Sequence, residues 1–207
     1  LQAFNLKLNP DLHKTVTSQG GIRILSRLDL PPARYQIRVG VSDAVGGRAG
    51  SLPYDLEVPD YSRIPFSLSG LLLATSRTGG IATMKPDEQL REVLPLPPTA
   101  VRVFHPQDTI TLLAELYDNS ARSGHTVDFV TTVRRPDTGA IAFESRGARS
   151  VEGGNWREWY TLAIPAKELP PGRYVLGVQA TSRAGNHSAT REVPIEVSLT
   201  PSGIGAN

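Results

Sequence analysis

Apolar and polar residues alternate with a period of two along most of the second half of this chain. A β-strand that buries one face shows this period, because successive side chains point to opposite sides of the sheet. The pattern therefore predicts strands rather than helices. The residues predicted to face inward are Ile110, Leu112, Ala114 and Leu116, then Val127, Phe129, Thr131 and Val133, then Tyr160, Leu162 and Ile164, then Tyr174, Leu176, Val178 and Ala180, and last Val193, Ile195 and Val197.

Turn-forming residues separate these alternating segments. Pro136-Asp137-Thr138-Gly139 suits a tight turn with Gly in the left-handed conformation, and Gly185-Asn186 and Gly46-Gly47 suit the tips of hairpins. The 17 Pro and 19 Gly are spread between the apolar runs, so turns are frequent. Many short strands at this spacing favour a β-sandwich over a parallel sheet.

The chain contains the same pattern twice. The segment LPPARYQIRV at Leu30–Val39 returns as LPPGRYVLGV at Leu169–Val178, an offset of 169 − 30 = 139 residues. The offset still holds, without a gap, where Leu56-Glu57-Val58 corresponds to Ile195-Glu196-Val197. Repetition at this spacing predicts two related domains rather than a solenoid of short repeats.

The repeated segment resembles the tyrosine corner of fibronectin type III and other immunoglobulin-like domains. Its spacing Leu-x-Pro-Gly-x-Tyr ends at Tyr174 and is followed by alternating apolar residues. The resemblance implies an all-β, antiparallel, immunoglobulin-like or fibronectin type III-like β-sandwich in two related repeats. It also implies that Tyr174 starts strand F and bonds to backbone near Leu169, and that Tyr35 does the same near Leu30. The alternative is that Tyr174 is an ordinary core aromatic residue.

Strand labels taken from this corner make the first repeat incomplete. Upstream of its strand E at Ile22–Leu28, only Ala3–Leu8 remains, which is enough for a strand D, whereas the second repeat has a strand A near Val101–Phe104. We expect residues 1–60 to pack on Phe66–Ala74 and the following helix, or on another chain, because a half-sandwich exposes an apolar face. The predicted segments are 1–60, the C-terminal part of a sandwich (strands D to G); 61–98, a connecting strand, a short helix at Pro86–Leu94 and a Pro-rich linker; 99–200, a complete sandwich; and 201–207, a flexible tail.

A longer resemblance covers most of the chain. The segment LPPARYQIRVGVSDAVGGRAGSLPYDLEVPDYS at 30–62, followed by FSLSGLLLA at 66–74, resembles the region downstream of a von Willebrand factor A-like domain in large bacterial proteins. That resemblance implies a von Willebrand A domain and the missing strands upstream, and export to the periplasm, the cell surface or the medium. The nearest match to the metal-binding Asp-x-Ser-x-Ser of that domain is 118–122, which ends in Arg122, so no ligand site is implied.

Composition excludes several classes of function. The 22 basic and 20 acidic residues are interspersed, so no basic stripe for nucleic acid is present. Without cysteine, the chain can form neither a disulfide nor a thiolate site. The longest apolar run, Leu71–Ala74, is too short to span a membrane.

No motif of a catalytic or cofactor site is present. The four histidines, at 13, 105, 125 and 187, lack metal-ligand spacing and are expected to be solvated. Asp43 and Asp118-Asn119 are interpreted as turn residues rather than calcium ligands. The sequence therefore predicts a protein that is not an enzyme and needs no metal or cofactor.

The aromatic segment Trp156–Tyr160 offers the one candidate contact site. Since Tyr160 should face inward, Trp159 should face outward, and Arg157 and Tyr117 are expected nearby. The alternative is that Trp159 covers an edge strand or the domain junction. The prediction is a structural or interaction module of an exported bacterial protein that acts by protein contact or self-assembly, in spacing, assembly or adhesion; the alternative is a carbohydrate-binding or accessory module attached to an enzyme.

Overall fold

The computed structural model describes residues 5, 7, 9–18, 21–43, 46–77, 81–84, 87–120, 122–152 and 156–199. Strands dominate these residues, as the period-two pattern predicts. The elements, in chain order, are α1 (Pro10–Ser18), β1 (Ile22–Ile24), β2 (Ala33–Ser42), β3 (Ala49–Val58), β4 (Phe66–Leu68), β5 (Leu72–Thr75), β6 (Ala82–Met84), α2 (Glu88–Val93), β7 (Val103–Phe104), β8 (Thr109–Asp118), β9 (His125–Arg134), β10 (Ile141–Val151), β11 (Trp156–Pro165), β12 (Gly172–Ser182) and β13 (Ser188–Val197).

Two sheets form the sandwich. The five-stranded sheet has the order β10-β9-β12-β13-β7, and the second sheet has the order β11-β8-β4, with β5 also paired to β8. All of these pairs are antiparallel except β7 with β13. The order places strands C (β9), F (β12) and G (β13) in one sheet, and strands A (β4 and β5), B (β8) and E (β11) in the other. The predicted fold class, an all-β immunoglobulin-like or fibronectin type III-like sandwich, is confirmed.

The core lies between the two sheets and consists of the inward members of the alternating strands. Phe129 of one sheet stacks on Tyr160 of the other, with ring centroids 4.3 Å apart. The Tyr160 hydroxyl is 2.8 Å from Thr131 Oγ1, so this buried polar group has a partner across the core. A smaller apolar cluster lies on the outer side of the second sheet, where Leu94 packs on Ala74 and Leu113.

Strand A of the sandwich lies in a segment that the sequence assigned to a connector. Phe66–Leu68 and Leu72–Thr75 both pair with β8, and Phe66, Leu68 and Leu73 are buried in the core. Val103–Phe104, the predicted strand A, pairs instead in parallel with β13 in the opposite sheet. Segment 61–98 therefore contributes two strands to the sandwich. Residues 1–60 contact its helix, as predicted, because Arg27 forms an ion pair with Asp87 at 2.7 Å and donates a hydrogen bond to Gln89.

The first repeat differs from its prediction upstream of β2. The predicted strand E is reduced to β1, which pairs in parallel with β6 rather than with a strand B. The predicted strand D at Ala3–Leu8 lies largely outside the described residues, as does the predicted tail at 201–207. What remains of a sandwich in this repeat, among the residues that the structure describes, is the hairpin of β2 and β3.

The hairpin reproduces strands F and G of the complete repeat. Its register runs from Ala33↔Val58 to Ser42↔Ala49, and the same positions plus 139 pair in β12 and β13. The Tyr35 hydroxyl donates to the Pro31 carbonyl at 2.7 Å, and the Tyr174 hydroxyl donates to the equivalent Pro170 carbonyl. Both tyrosine-corner hydrogen bonds are therefore present at the predicted places.

Candidate functional site

The outer face of the second sheet is divided into a covered end and an open end. Along β8, Leu112 and Leu116 point into the core, so Leu113, Glu115 and Tyr117 point outward. Leu113 is covered by the segment that contains α2. Glu115 and Tyr117 lie beyond that cover, so this end of the face is where a partner has access.

Four residues form this open end, which we call the aromatic patch. They are the three predicted site residues, Tyr117, Arg157 and Trp159, together with Tyr61. In the β11–β8 register, Trp159 lies opposite Glu115, and Arg157 lies opposite Tyr117. The Arg157 guanidinium carbon is 5.6 Å from the centroid of the Tyr117 ring, a cation–π distance. Trp159 is 42% exposed, so it lies on the outer face as the alternation predicts.

Tyr61 belongs to the patch but carried no signal in the sequence. Its ring stacks on Tyr117 with centroids 4.5 Å apart and an angle of 5° between the planes. Asn119 holds the loop before β4, because its side-chain amide donates to the carbonyls of Tyr61 at 2.6 Å and Ile64 at 2.7 Å. This placement depends on the pairing of Phe66 with Asp118, which joins residues far apart in the chain.

Tyr117 is the fixed element of the patch. Its hydroxyl donates to the Glu115 carboxylate, one of its faces is against Tyr61, and Arg157 lies over the ring. Burial, followed by the hydrogen bond to Glu115, raises the pKa of Tyr117 far above its ordinary value. The hydrogen bond to Glu115 and the stacking on Tyr61 hold the neutral phenol in one orientation.

One histidine departs from the prediction that all four are solvated. His125 Nε2 is 3.0 Å from Asp118 Oδ2, and the two side chains are only 7% and 1% exposed. The other carboxylate oxygen of Asp118 accepts hydrogen bonds from the backbone N–H and hydroxyl of Ser120. The pair therefore joins the end of β8 to the start of β9, which is a structural role that a sequence motif does not reveal.

The remaining histidines and acids form no metal site within the described part of the chain. His13 and His187 are exposed, and His105 Nδ1 accepts from the Gln107 N–H at 3.2 Å. No group of three metal-ligating side chains occurs among the described residues. Likewise, no helix in that part of the chain is long and apolar enough to cross a membrane.

Comparison with known proteins adds no family. No protein family and no curated protein matches the sequence. Among solved structures, a β-glucuronidase of Bacteroides uniformis is 12% identical, with a TM-score of 0.37 over 67% of this chain and 14% of that chain. A family 123 glycoside hydrolase from Clostridium perfringens is 14% identical, with a TM-score of 0.35 over 47% of this chain and 22% of that one. The C-terminal domain of wzt is 8% identical, with a TM-score of 0.43 over 80% of this chain and 79% of that one.

These likenesses are distant, and this chain spans only about a seventh of the β-glucuronidase and a fifth of the family 123 hydrolase. The class of protein is therefore defined by the strand order alone: an immunoglobulin-like or fibronectin type III-like β-sandwich preceded by the two-stranded hairpin of β2 and β3.

Proposed function

We propose that this chain is a non-catalytic structural and interaction module of an exported bacterial protein, acting by protein–protein contact in spacing, assembly or adhesion. The observation that supports the proposal is the aromatic patch, with Trp159 42% exposed beside Arg157 on an open sheet face. Trp, Tyr and Arg are the residue types that dominate binding energy at protein interfaces. Export rests on the resemblance of segments 30–62 and 66–74 to regions downstream of von Willebrand A-like domains.

The geometry of the patch suits a contact surface. Tyr117 and Tyr61 are already held by stacking and hydrogen bonds, so they lose little side-chain freedom when a partner binds. Trp159 offers the large apolar area that is still exposed, and Arg157 and Glu115 supply charges of opposite sign around it. A partner would bury Trp159 and meet a polar rim.

The test compares Trp159→Ala with Ile141→Ala, a matched change at another exposed apolar residue on an edge strand, in the opposite sheet. Both variants should keep the wild-type circular dichroism and unfolding midpoint. Self-association is measured by sedimentation velocity, and binding to bacterial envelope proteins is measured as the amount retained on the immobilised chain. We expect Trp159→Ala alone to weaken association by about 2 kcal/mol, roughly thirtyfold in Kd. Unchanged association in both assays would contradict the proposal.

A carbohydrate-binding or accessory module is the second candidate, because three aromatic rings share the patch. Sugar rings stack on exposed aromatic faces, but Tyr117 is contacted by Tyr61 and Arg157, so Trp159 is the most accessible ring. Affinity electrophoresis in gels containing soluble glucans, xylan or glycol chitin tests this candidate. Retardation of the wild type that is lost in Trp159→Ala and kept in Ile141→Ala would favour it over protein contact.

A further inference from the structure

The β2–β3 hairpin exposes a face that its counterpart buries. Val39, Val41, Leu52 and Tyr54 are between 56% and 72% exposed. In the complete repeat, the positions equivalent to Val39 and Val41 are fully buried against the opposite sheet. The internal repeat therefore shows what kind of neighbour the hairpin face fits: strands of a sandwich.

The outer edge of β2 is also open. The Asp43 N–H donates to the Arg48 carbonyl across the hairpin, so these two residues form a hydrogen-bonded pair. In an antiparallel pair of strands, hydrogen-bonded and non-hydrogen-bonded pairs alternate. The backbone N–H and C=O groups that point away from β3 are therefore those of Gln36, Arg38, Gly40 and Ser42. In β12, the four equivalent residues pair with Arg134, Thr132, Val130 and Asp128 of β9. No strand pairs with this edge of β2 within the described residues.

The other edge of the hairpin is closed to strand addition. Pro53 lies opposite Arg38, at a position where the same alternation directs the missing N–H outward. A proline in an edge strand prevents a further strand from completing its hydrogen bonds. Of the two edges, only that of β2 presents an uninterrupted set of backbone donors and acceptors.

At one facing pair on the polar side of the hairpin, the charge is the reverse of that in the complete repeat. There, Arg134 of β9 pairs with Glu192 of β13 across Gly177. The residues equivalent to Gly177 and Glu192 are Arg38 and Pro53, so an acid has been lost and a base gained. Arg34 and Gln36 contact Glu57 and Asp55 of β3, whereas Pro53 offers Arg38 no such group.

We propose that the edge of β2 binds a strand from a polypeptide segment outside these 207 residues. The strand adds antiparallel to Gln36–Ser42 in the register that β9 uses on β12, with apolar side chains continuing the exposed face and an acidic side chain opposite Arg38. Backbone hydrogen bonds to β2 supply the affinity, and the pattern of apolar and acidic side chains on the added strand supplies the specificity. The proposal concerns a surface separate from the aromatic patch and does not depend on it.

The probe is a synthetic peptide with the β9 sequence HTVDFVTTVR, carrying Thr132→Glu so that an acid lies opposite Arg38. The peptide with Thr132→Gln, which has the same shape without the charge, is the control. Binding to the full chain is measured by NMR titration and by amide hydrogen exchange. We expect new protection at Gln36, Arg38, Gly40 and Ser42, and an affinity about two- to fivefold higher for the Glu peptide, as for an exposed ion pair.

Two matched proline variants test the edge. Gly40→Pro removes an outward donor of β2, and Ser51→Pro removes the outward donor directly opposite on β3; neither position donates within the hairpin. Binding should be abolished by Gly40→Pro and kept by Ser51→Pro. Should Gly40→Pro disrupt the hairpin, Arg38→Glu keeps every backbone donor and should reverse the preference between the two peptides.

Three results would overturn the proposal. The first is no protection of the β2 amides at millimolar peptide, and the second is equal binding to Gly40→Pro and the wild type. The third is a concentration-dependent dimer in sedimentation velocity that Gly40→Pro abolishes, because the occupant of the edge would then be a second copy of this chain.

Discussion

Replacing Tyr174 with Phe removes one hydrogen bond and little else. The Tyr174 ring is 1% exposed, its hydroxyl donates to the Pro170 carbonyl, and the Arg135 guanidinium carbon lies 4.5 Å from the ring centroid. Phe keeps the ring, and with it the core packing and the contact with Arg135. The loss is therefore the net worth of one hydrogen bond, about 1 kcal/mol in the free energy of unfolding.

The repeat supplies a matched control at Tyr35, whose hydroxyl makes the equivalent bond to the Pro31 carbonyl. That bond is exposed and lies in the two-stranded hairpin, so water can replace it and the sandwich does not depend on it. We expect Tyr35→Phe to change the unfolding free energy of the sandwich by less than about 0.3 kcal/mol.

Urea unfolding followed by tryptophan fluorescence measures both variants. The two tryptophans, Trp156 and Trp159, lie in β11, so the signal reports the sandwich and not the hairpin. With a typical m-value of about 2 kcal/mol/M, Tyr174→Phe should lower the midpoint by about 0.5 M at an unchanged slope. Equal losses in the two variants, or no loss in Tyr174→Phe, would refute the argument that burial decides the worth of this hydrogen bond.

Two further predictions concern the cover on the second sheet and an ion pair on the first. Leu94→Ala should lower the free energy of unfolding in urea by about 2–3 kcal/mol, because Leu94 is 1% exposed and packs on Leu113. A loss below about 0.5 kcal/mol would mean that the α2 segment does not pack on the second sheet. Arg183 donates two hydrogen bonds to Asp128 and lowers the pKa of that carboxyl, so Arg183→Met should raise it toward its ordinary value in an NMR titration. Because the pKa of Asp128 is lower in the folded than in the unfolded state, the pair stabilises the fold above the unfolded-state pKa, and this stabilisation is lost as the pH falls. Acid should therefore destabilise the variant less than the wild type. An unchanged Asp128 titration would contradict this assignment.

The sequence predicts the parts of the fold that depend on neighbours in the chain. The alternation around Tyr160 is enough to direct Trp159 outward, and the repeated segment is enough to pair Tyr35 and Tyr174 with carbonyls four residues upstream. Both inferences need only the period of a strand and one local motif.

The features that the sequence does not predict depend on pairing between distant residues. Phe66–Thr75 has the composition of a strand, but no local pattern shows that it pairs with β8 rather than with the first repeat. The position of Tyr61 depends on the same pairing, because the pairing of β4 with β8 places the loop before β4 against Asn119. His125, at the start of β9, is buried beside Asp118, which ends the preceding strand β8 in the opposite sheet, and the spacing of the two residues matches no known motif.

The short parallel pair of β7 and β13 determines how the sandwich responds to tension. When tension reaches β7, after β4 and β5 have been pulled from β8, the parallel strands β7 and β13 slide past each other, so their hydrogen bonds are loaded together rather than broken one by one. Here that contact extends over only Val103 and Phe104, opposite Glu196 and Val197, with flanking bonds at Arg102 and Ser198. So few bonds share the load that this contact should yield at low force.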